Sequence, residues 1–153
     1  MLVAPLSLIS GELSFIAQSL STPTVTSLYR QIAAGLSHFI IQRSVSHRGR
    51  NQFSAEEGKA FAEECALWVD TCRAALIVGG RSVVRRVELP WADLMDVAIV
   101  ISVPGAVIEE VIQTVFEGSD EAVQDLISSM GVKNLTRDGV KRILRARQEC
   151  HYS

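Results

Sequence analysis

The chain has 153 residues, 48% of them apolar and 21% charged, with 15 basic and 17 acidic side chains for a formal net charge of -2. That length suits a single domain with a buried core, and the composition excludes a disordered or collagen-like polymer. The near balance of charge excludes a field over the whole molecule that would gather nucleic acid or anionic lipid.

Apolar positions recur at helical spacing along nearly the whole chain and strict alternation is rare. The expected fold class is therefore all-α, an antiparallel multi-helix bundle of about seven helices. Leu6, Ile9, Leu13, Ile16, Ala17 and Leu20 make a first helix, weakened by Gly11 and stopped at Ser21-Thr22-Pro23. No basic residue precedes this apolar start and Glu12 interrupts it, which argues against a signal peptide. Thr22 as cap and Pro23 in the first turn open a second helix with Val25, Leu28, Tyr29, Ile32, Leu36, Phe39 and Ile40 in its stripe. It runs out in a polar loop near His47-Arg48-Gly49-Arg50.

Ser54-Ala55-Glu56-Glu57 is a capping box: the serine hydroxyl accepts from the third helical amide and the glutamate reaches back to the serine amide. The helix it opens sets Phe61, Cys65, Trp68, Val69, Cys72 and Leu76 on one face and is expected to close at Gly79-Gly80. Arg81 to Glu88 reads as a basic connector. Pro90 then suits a first turn, followed by Trp91, Leu94, Met95, Ala98 and Ile101. The longest apolar stretch, Val97 to Ile108, is broken by Ser102, Pro104 and Gly105 and falls short of the ~20 residues a membrane span needs.

Val107, Ile108, Val111, Ile112, Val115 and Phe116 form a fifth stripe, rich enough in β-branched residues that a buried strand is an alternative. Glu109-Glu110 and Gln113-Thr114 share the opposite face, which favours helix. Gly118-Ser119 and Gly131 bound a short sixth helix. Thr136 caps a seventh, with Val140, Ile143 and Leu144 inward and a basic side outward, and residues 148–153 are expected to fray.

Charge is uneven within this frame. Glu109, Glu110, Glu117, Asp120, Glu121 and Asp125 form an acidic stretch without a base, while Lys133 to Arg147 carries six bases against Asp138. Such a dipolar end docks on its own domain as readily as on a partner.

No convergent catalytic set emerges from the residue types. His38, His47 and His151 have no metal-ligand spacing, so no metal site and no cofactor is expected. An odd cysteine count argues against a disulfide framework, and Cys65 and Cys72 in one helix stand roughly 10 Å apart, beyond disulfide reach. They read as inert core thiols. Adjacent carboxylates such as Glu56-Glu57, Glu63-Glu64 and Glu109-Glu110 point about a hundred degrees apart on a helix and do not share a substrate. Gly79-Gly80-Arg81-Ser82 suits a small phosphate nest but lacks the frame and lysine of a P-loop, and a helix end explains it more simply. Arg43, Arg48, Arg50, Arg81, Arg85 and Arg86 support an alternative reading as a helical nucleic-acid-binding domain, weakened by aromatic residues that all fall on apolar stripes.

The second and third helices also carry a family likeness. Leu28-Tyr29-Arg30-Gln31-Ile32, Phe39-Ile40-Ile41-Gln42-Arg43, Arg48-Gly49-Arg50, Phe53-Ser54, Glu57-Gly58 and Leu67-Trp68-Val69 with Cys72 resemble the C-terminal region of the Tip-twenty and Rad-fifty-interacting family. Pro90-Trp91, Leu94, Leu135-Thr136, Val140 and Ile143-Leu144 are compatible with the end of that family. The resemblance implies a subunit of the Dsl tethering complex, a helical rod peripheral to the ER membrane on its cytoplasmic side. Such subunits capture Golgi-derived COPI vesicles in retrograde transport and engage ER SNARE proteins and other tether subunits. Family members are several times longer, so this chain is expected to represent a C-terminal fragment that keeps SNARE binding. No enzymatic activity, small-molecule substrate or nucleic-acid partner follows from the resemblance. The residues expected to meet an acidic partner are the outward basic set of the last helix, Arg137, Lys141, Arg142 and Arg145.

Overall fold

A computed structural model describes residues 3–46 and 51–152. The loop expected around His47, with the resemblance residues Arg48, Gly49 and Arg50, lies outside the described residues. The fold class is all-α, 71% helical, so packing between helices rather than sheet pairing organises the core. Seven α-helices occur among the described residues: α1 Val3–Ser19, α2 Thr22–Ile41, α3 Ala55–Ala75, α4 Ala92–Ile101, α5 Ile108–Glu117, α6 Asp120–Ser129 and α7 Arg137–Leu144. A π turn, Gln42–Ser46, extends α2, and a 3-10 turn, Leu89–Trp91, leads into α4. None of these helices is long and apolar enough to cross a membrane.

Helix starts follow the local chemistry. Ser54 and Glu57 form the reciprocal pair of a capping box, Glu57 N–H to Ser54 Oγ at 3.2 Å and Ser54 N–H to Glu57 Oε2 at 2.9 Å. Ser119 and Thr136 cap α6 and α7 by accepting from Ala122 and Gly139. The second helix opens one residue earlier than expected: the Ser21 carbonyl accepts the first bond, from Val25 N–H at 2.9 Å. The fifth stripe is helix rather than strand.

The end of α3 departs from expectation. Gly79-Gly80 does not close the helix, which stops at Ala75; the two glycines instead turn a short antiparallel hairpin, β1 Ile77–Val78 and β2 Arg81–Ser82, with Val78 opposite Arg81. Their φ values of +59° and +77° are those of a two-residue hairpin turn, which left-handed residues such as Gly-Gly supply without strain. Val83 N–H to Leu76 O at 2.9 Å continues the ladder. The basic connector therefore begins as a strand.

Where length suggests one domain, the chain packs as two compact units, residues 1–37 with 66–91 and residues 38–65 with 92–153, so that α2 and α3 contribute to both. In the first unit Leu13, Ala17, Val25, Tyr29, Ala33, Val69, Cys72, Leu76, Val84, Val87 and Trp91 are buried. Trp68 stacks on Trp91 with centroids 6.3 Å apart. Tyr29 donates its hydroxyl proton to Val87 O at 2.5 Å and accepts from Trp91 Nε1 at 2.9 Å, which ties α2 to the segment before α4. The two polar handles in this core are thereby satisfied.

In the second unit the apolar faces of α4 to α7 enclose Leu94, Val97, Ile101, Ile108, Val111, Val115, Val123, Ile127, Val140 and Leu144, with Phe53 and Phe61 in tilted ring contact at 5.5 Å. Gly58 of α3 is buried where a Cβ would stand 2.2 Å from Ile101 O, so glycine is required for α3 to approach the end of α4. Asp96, also buried, accepts the backbone N–H groups of Lys133 and Asn134, the latter at 2.6 Å, and holds the connection from α6 to α7.

Residues 148–152, expected to fray, are docked. Phe53 and Arg147 pair as an isolated parallel bridge, with Phe53 N–H to Ala146 O at 2.6 Å and Gln148 N–H to Phe53 O at 3.0 Å. Cys150 is buried and Tyr152 stacks on Phe116 at 4.4 Å. The physical reason is Arg147, a charged residue buried to 0% exposure that donates to the carbonyls of Ile101, the last residue of α4, at 2.5 Å and Val103, just past it, at 2.8 Å. Its other edge grips Glu149 through Nε and Nη2, so each buried donor finds an acceptor and the tail is drawn in with it.

Candidate interaction sites

The contacts of the basic set expected to face a partner divide it in two. Arg137, at the first position of α7, donates to Val115 O at 2.9 Å, Gly118 O at 2.9 Å and Phe116 O at 3.4 Å, and pairs with Asp120 at 2.7 Å. It thus neutralises the carbonyl end of α5 and links it to the start of α6. Lys141 Nζ and Arg145 Cζ each lie 5.5 Å from the centroid of the Phe116 ring, and the Arg145 carbonyl accepts from Gln52. Arg142 is exposed. The basic side of α7 is therefore turned partly onto its own unit, and Arg137 is a positioning residue of the fold.

A second feature of the same unit is a cleft of about 520 Å³ lined by Glu109, Ile112, Gln113, Glu117, Gln148, Glu149, His151 and Tyr152. Two of its carboxylates are already engaged: Glu149 by Arg147, whose hydrogen bonds lower its pKa from the ordinary carboxylate value, and Glu117 by the Tyr152 hydroxyl, whose own pKa that bond raises. Among the described residues no group of three histidine, cysteine or carboxylate side chains is arranged to hold a metal ion.

The thiols are quiescent. Burial pushes Cys65 up to about 12, aided by the charge of Glu64, and pushes Cys72 up to about 11 against the opposing influence of the Tyr29 hydroxyl. Both stay protonated near neutrality, and the thiolate is the reactive form. Burial likewise raises the Tyr29 hydroxyl above its ordinary value, while its bond from Trp91 acts the other way.

In the first unit a pocket of about 420 Å³ brings together Thr22, Thr26 and Arg30 of α2, Val78, Arg81 and Ser82 of the hairpin, and Val83 and Arg85 after it. Among the described residues none forms an ion pair with Arg30, Arg81 or Arg85. The Gly-Gly-Arg-Ser signal and the basic cluster around it point to this place in the sequence; Arg30 does not, since only tertiary packing brings α2 against the hairpin. Arg86 is outside the lining. Its backbone is left-handed, with a φ of +54°.

Large apolar side chains also remain exposed on helix faces. Leu8 and Phe15 are 67% and 68% exposed on α1, while Leu13 and Ala17 on its other side are buried. Leu28 and Ile32, one turn apart on α2, are partly exposed as well.

The chain is an all-α multi-helix protein whose buried polar groups tie its helices and loops together. No protein-family model, curated protein or solved structure matches it.

Proposed function

We propose that this chain is a protein-docking module, the C-terminal part of an ER vesicle-tethering subunit of the Tip-twenty and Rad-fifty-interacting kind. In this reading it binds an ER SNARE, supports COPI vesicle capture in Golgi-to-ER retrograde transport, and catalyses nothing. It sits on the cytoplasmic side of the ER membrane through its partners. The observation that carries the reading is the outer face of α1. Leu8 and Phe15 are seven residues apart, hence two turns along one side of the helix, and both are more than two-thirds exposed. Two large apolar groups at heptad spacing on a solvent face suit the apolar seam of a partner helix, the element a SNARE presents.

The nucleic-acid alternative has only the arginine pocket in its favour. No aromatic ring lines that pocket, so it offers phosphate contact without a stacking platform.

The test is capture of the full chain on immobilised cytoplasmic domains of ER SNAREs. Binding by the unaltered protein, with a loss of roughly tenfold in the Leu8→Asp/Phe15→Asp double variant, supports the reading. Absence of binding, or binding indifferent to that substitution, rejects it.

A further inference from the structure

The arginine pocket of the first unit has no role in helix docking and asks for its own ligand. Five arginines in this unit, Arg30, Arg73, Arg81, Arg85 and Arg86, face three carboxylates, Glu12, Asp70 and Glu88, so the unit is basic although the chain is net acidic. Arg73 is committed to Asp70 at 2.7 Å. Arg30, Arg81 and Arg85 converge on one pocket from two separate elements, with no described carboxylate paired to them. Three like charges gathered without a counter-ion repel one another, and the fold draws no ion pair from them; an anion in the pocket relieves the repulsion.

We propose that this pocket binds the phosphorylated headgroup of an anionic membrane lipid. Guanidinium forks match phosphate oxygens in pairs, and three of them suit a phosphomonoester of charge near -2 better than a lone carboxylate. Thr22 and Thr26 add hydroxyl donors from the first turns of α2, whose backbone dipole also favours an anion there. The Ser82 hydroxyl donates to Val84 O and serves only as an acceptor at the rim. The volume, about 420 Å³, is that of a small-molecule site rather than of a groove for a chain.

A lipid is favoured over a phosphorylated peptide by the hairpin itself. Val78 lines the pocket and pairs across the ladder with Arg81, and it and its neighbour Ile77 are 38% and 50% exposed. Apolar side chains at a turn beside a basic pocket place themselves in the headgroup layer while the arginines hold phosphate. This inference is independent of SNARE binding, and each survives the failure of the other.

The experiment is vesicle co-sedimentation of the full chain at physiological salt. Phosphatidylcholine vesicles are compared with vesicles doped with phosphatidylserine or with a phosphoinositide bearing a phosphomonoester, and soluble inositol trisphosphate is added as competitor. The expected result is selective binding to the phosphoinositide vesicles, competed by the soluble headgroup. The Arg81→Gln/Arg85→Gln variant should weaken it roughly thirty-fold and Ile77→Ser/Val78→Ser should weaken it on vesicles only, whereas Arg73→Gln should leave it unchanged. Circular dichroism of each variant confirms that the helices remain. Equal binding to phosphatidylserine, insensitivity to the arginine substitutions, or binding of inositol trisphosphate without vesicle binding overturns the proposal. Binding of a phosphoserine peptide in place of vesicles assigns the pocket to a protein ligand and overturns it equally.

Discussion

Arg147 is the residue on which the tail depends. Its guanidinium is wholly buried and divides its donors between two backbone carbonyls and one carboxylate. Removing it by Arg147→Ala leaves those acceptors without a donor, and the expected loss is about 3 kcal/mol in urea unfolding. Glu149 adds a pH dependence of definite sign. Its folded pKa is held below the ordinary carboxylate value, chiefly by hydrogen bonds from Arg147. Its stabilisation is thus complete above the unfolded carboxylate value and is lost as pH falls through the folded one. Glu149→Gln should flatten that acid limb and leave stability at higher pH little altered in slope; an unchanged acid limb would show that other groups set it. The buried thiols predict a chemical outcome. Cys65 and Cys72, raised to about 12 and about 11, should alkylate in native protein only as fast as the chain opens, so labelling speeds with urea rather than with a modest rise in pH.

Among elements, the hairpin and α7 show how a correct residue reading goes with a different structure. Gly79-Gly80 signals positive φ from sequence, and both a helix end and a hairpin turn use it; Ile77, Val78 and Val83 on either side decide for the hairpin by pairing. Gly79→Ala or Gly80→Ala is expected to cost about 1 kcal/mol each, read by thermal melting. Gly58→Ala should cost more, about 1–3 kcal/mol, since its Cβ meets a backbone carbonyl that has nowhere to yield. On α7 the four-residue spacing of Arg137, Lys141 and Arg145 shows an outward basic stripe in the sequence, but the stripe alone does not distinguish a partner's carboxylate from the acidic α5–α6 segment of the same unit. Neutralising Lys141, Arg142 and Arg145 is expected to slow the proposed SNARE association and reduce its salt dependence, measured by stopped-flow mixing. Arg137→Gln instead should lower stability, because its donors hold the end of α5.

For the molecule as a whole, α2 and α3 each carry residues of both compact units, and a helix loses cooperativity when only part of it melts. Both tryptophans, Trp68 and Trp91, belong to the first unit, so their emission reports that unit while far-UV circular dichroism reports all helices. The two signals are expected to change together in urea; separated midpoints would mean that the units unfold independently. Sequence by itself determined the all-α class, most helix limits, the capping box at Ser54 and the inert character of the thiols, because periodicity and caps act between residues three or four apart. Only the tertiary structure decided that Arg30 joins Arg81 and Arg85, that Arg137 and Arg147 turn inward, and that residues 148–152 are held. Those outcomes depend on carbonyls and charges distant in the chain, and a side chain's preference for an oxygen does not say which oxygen the fold will bring to it.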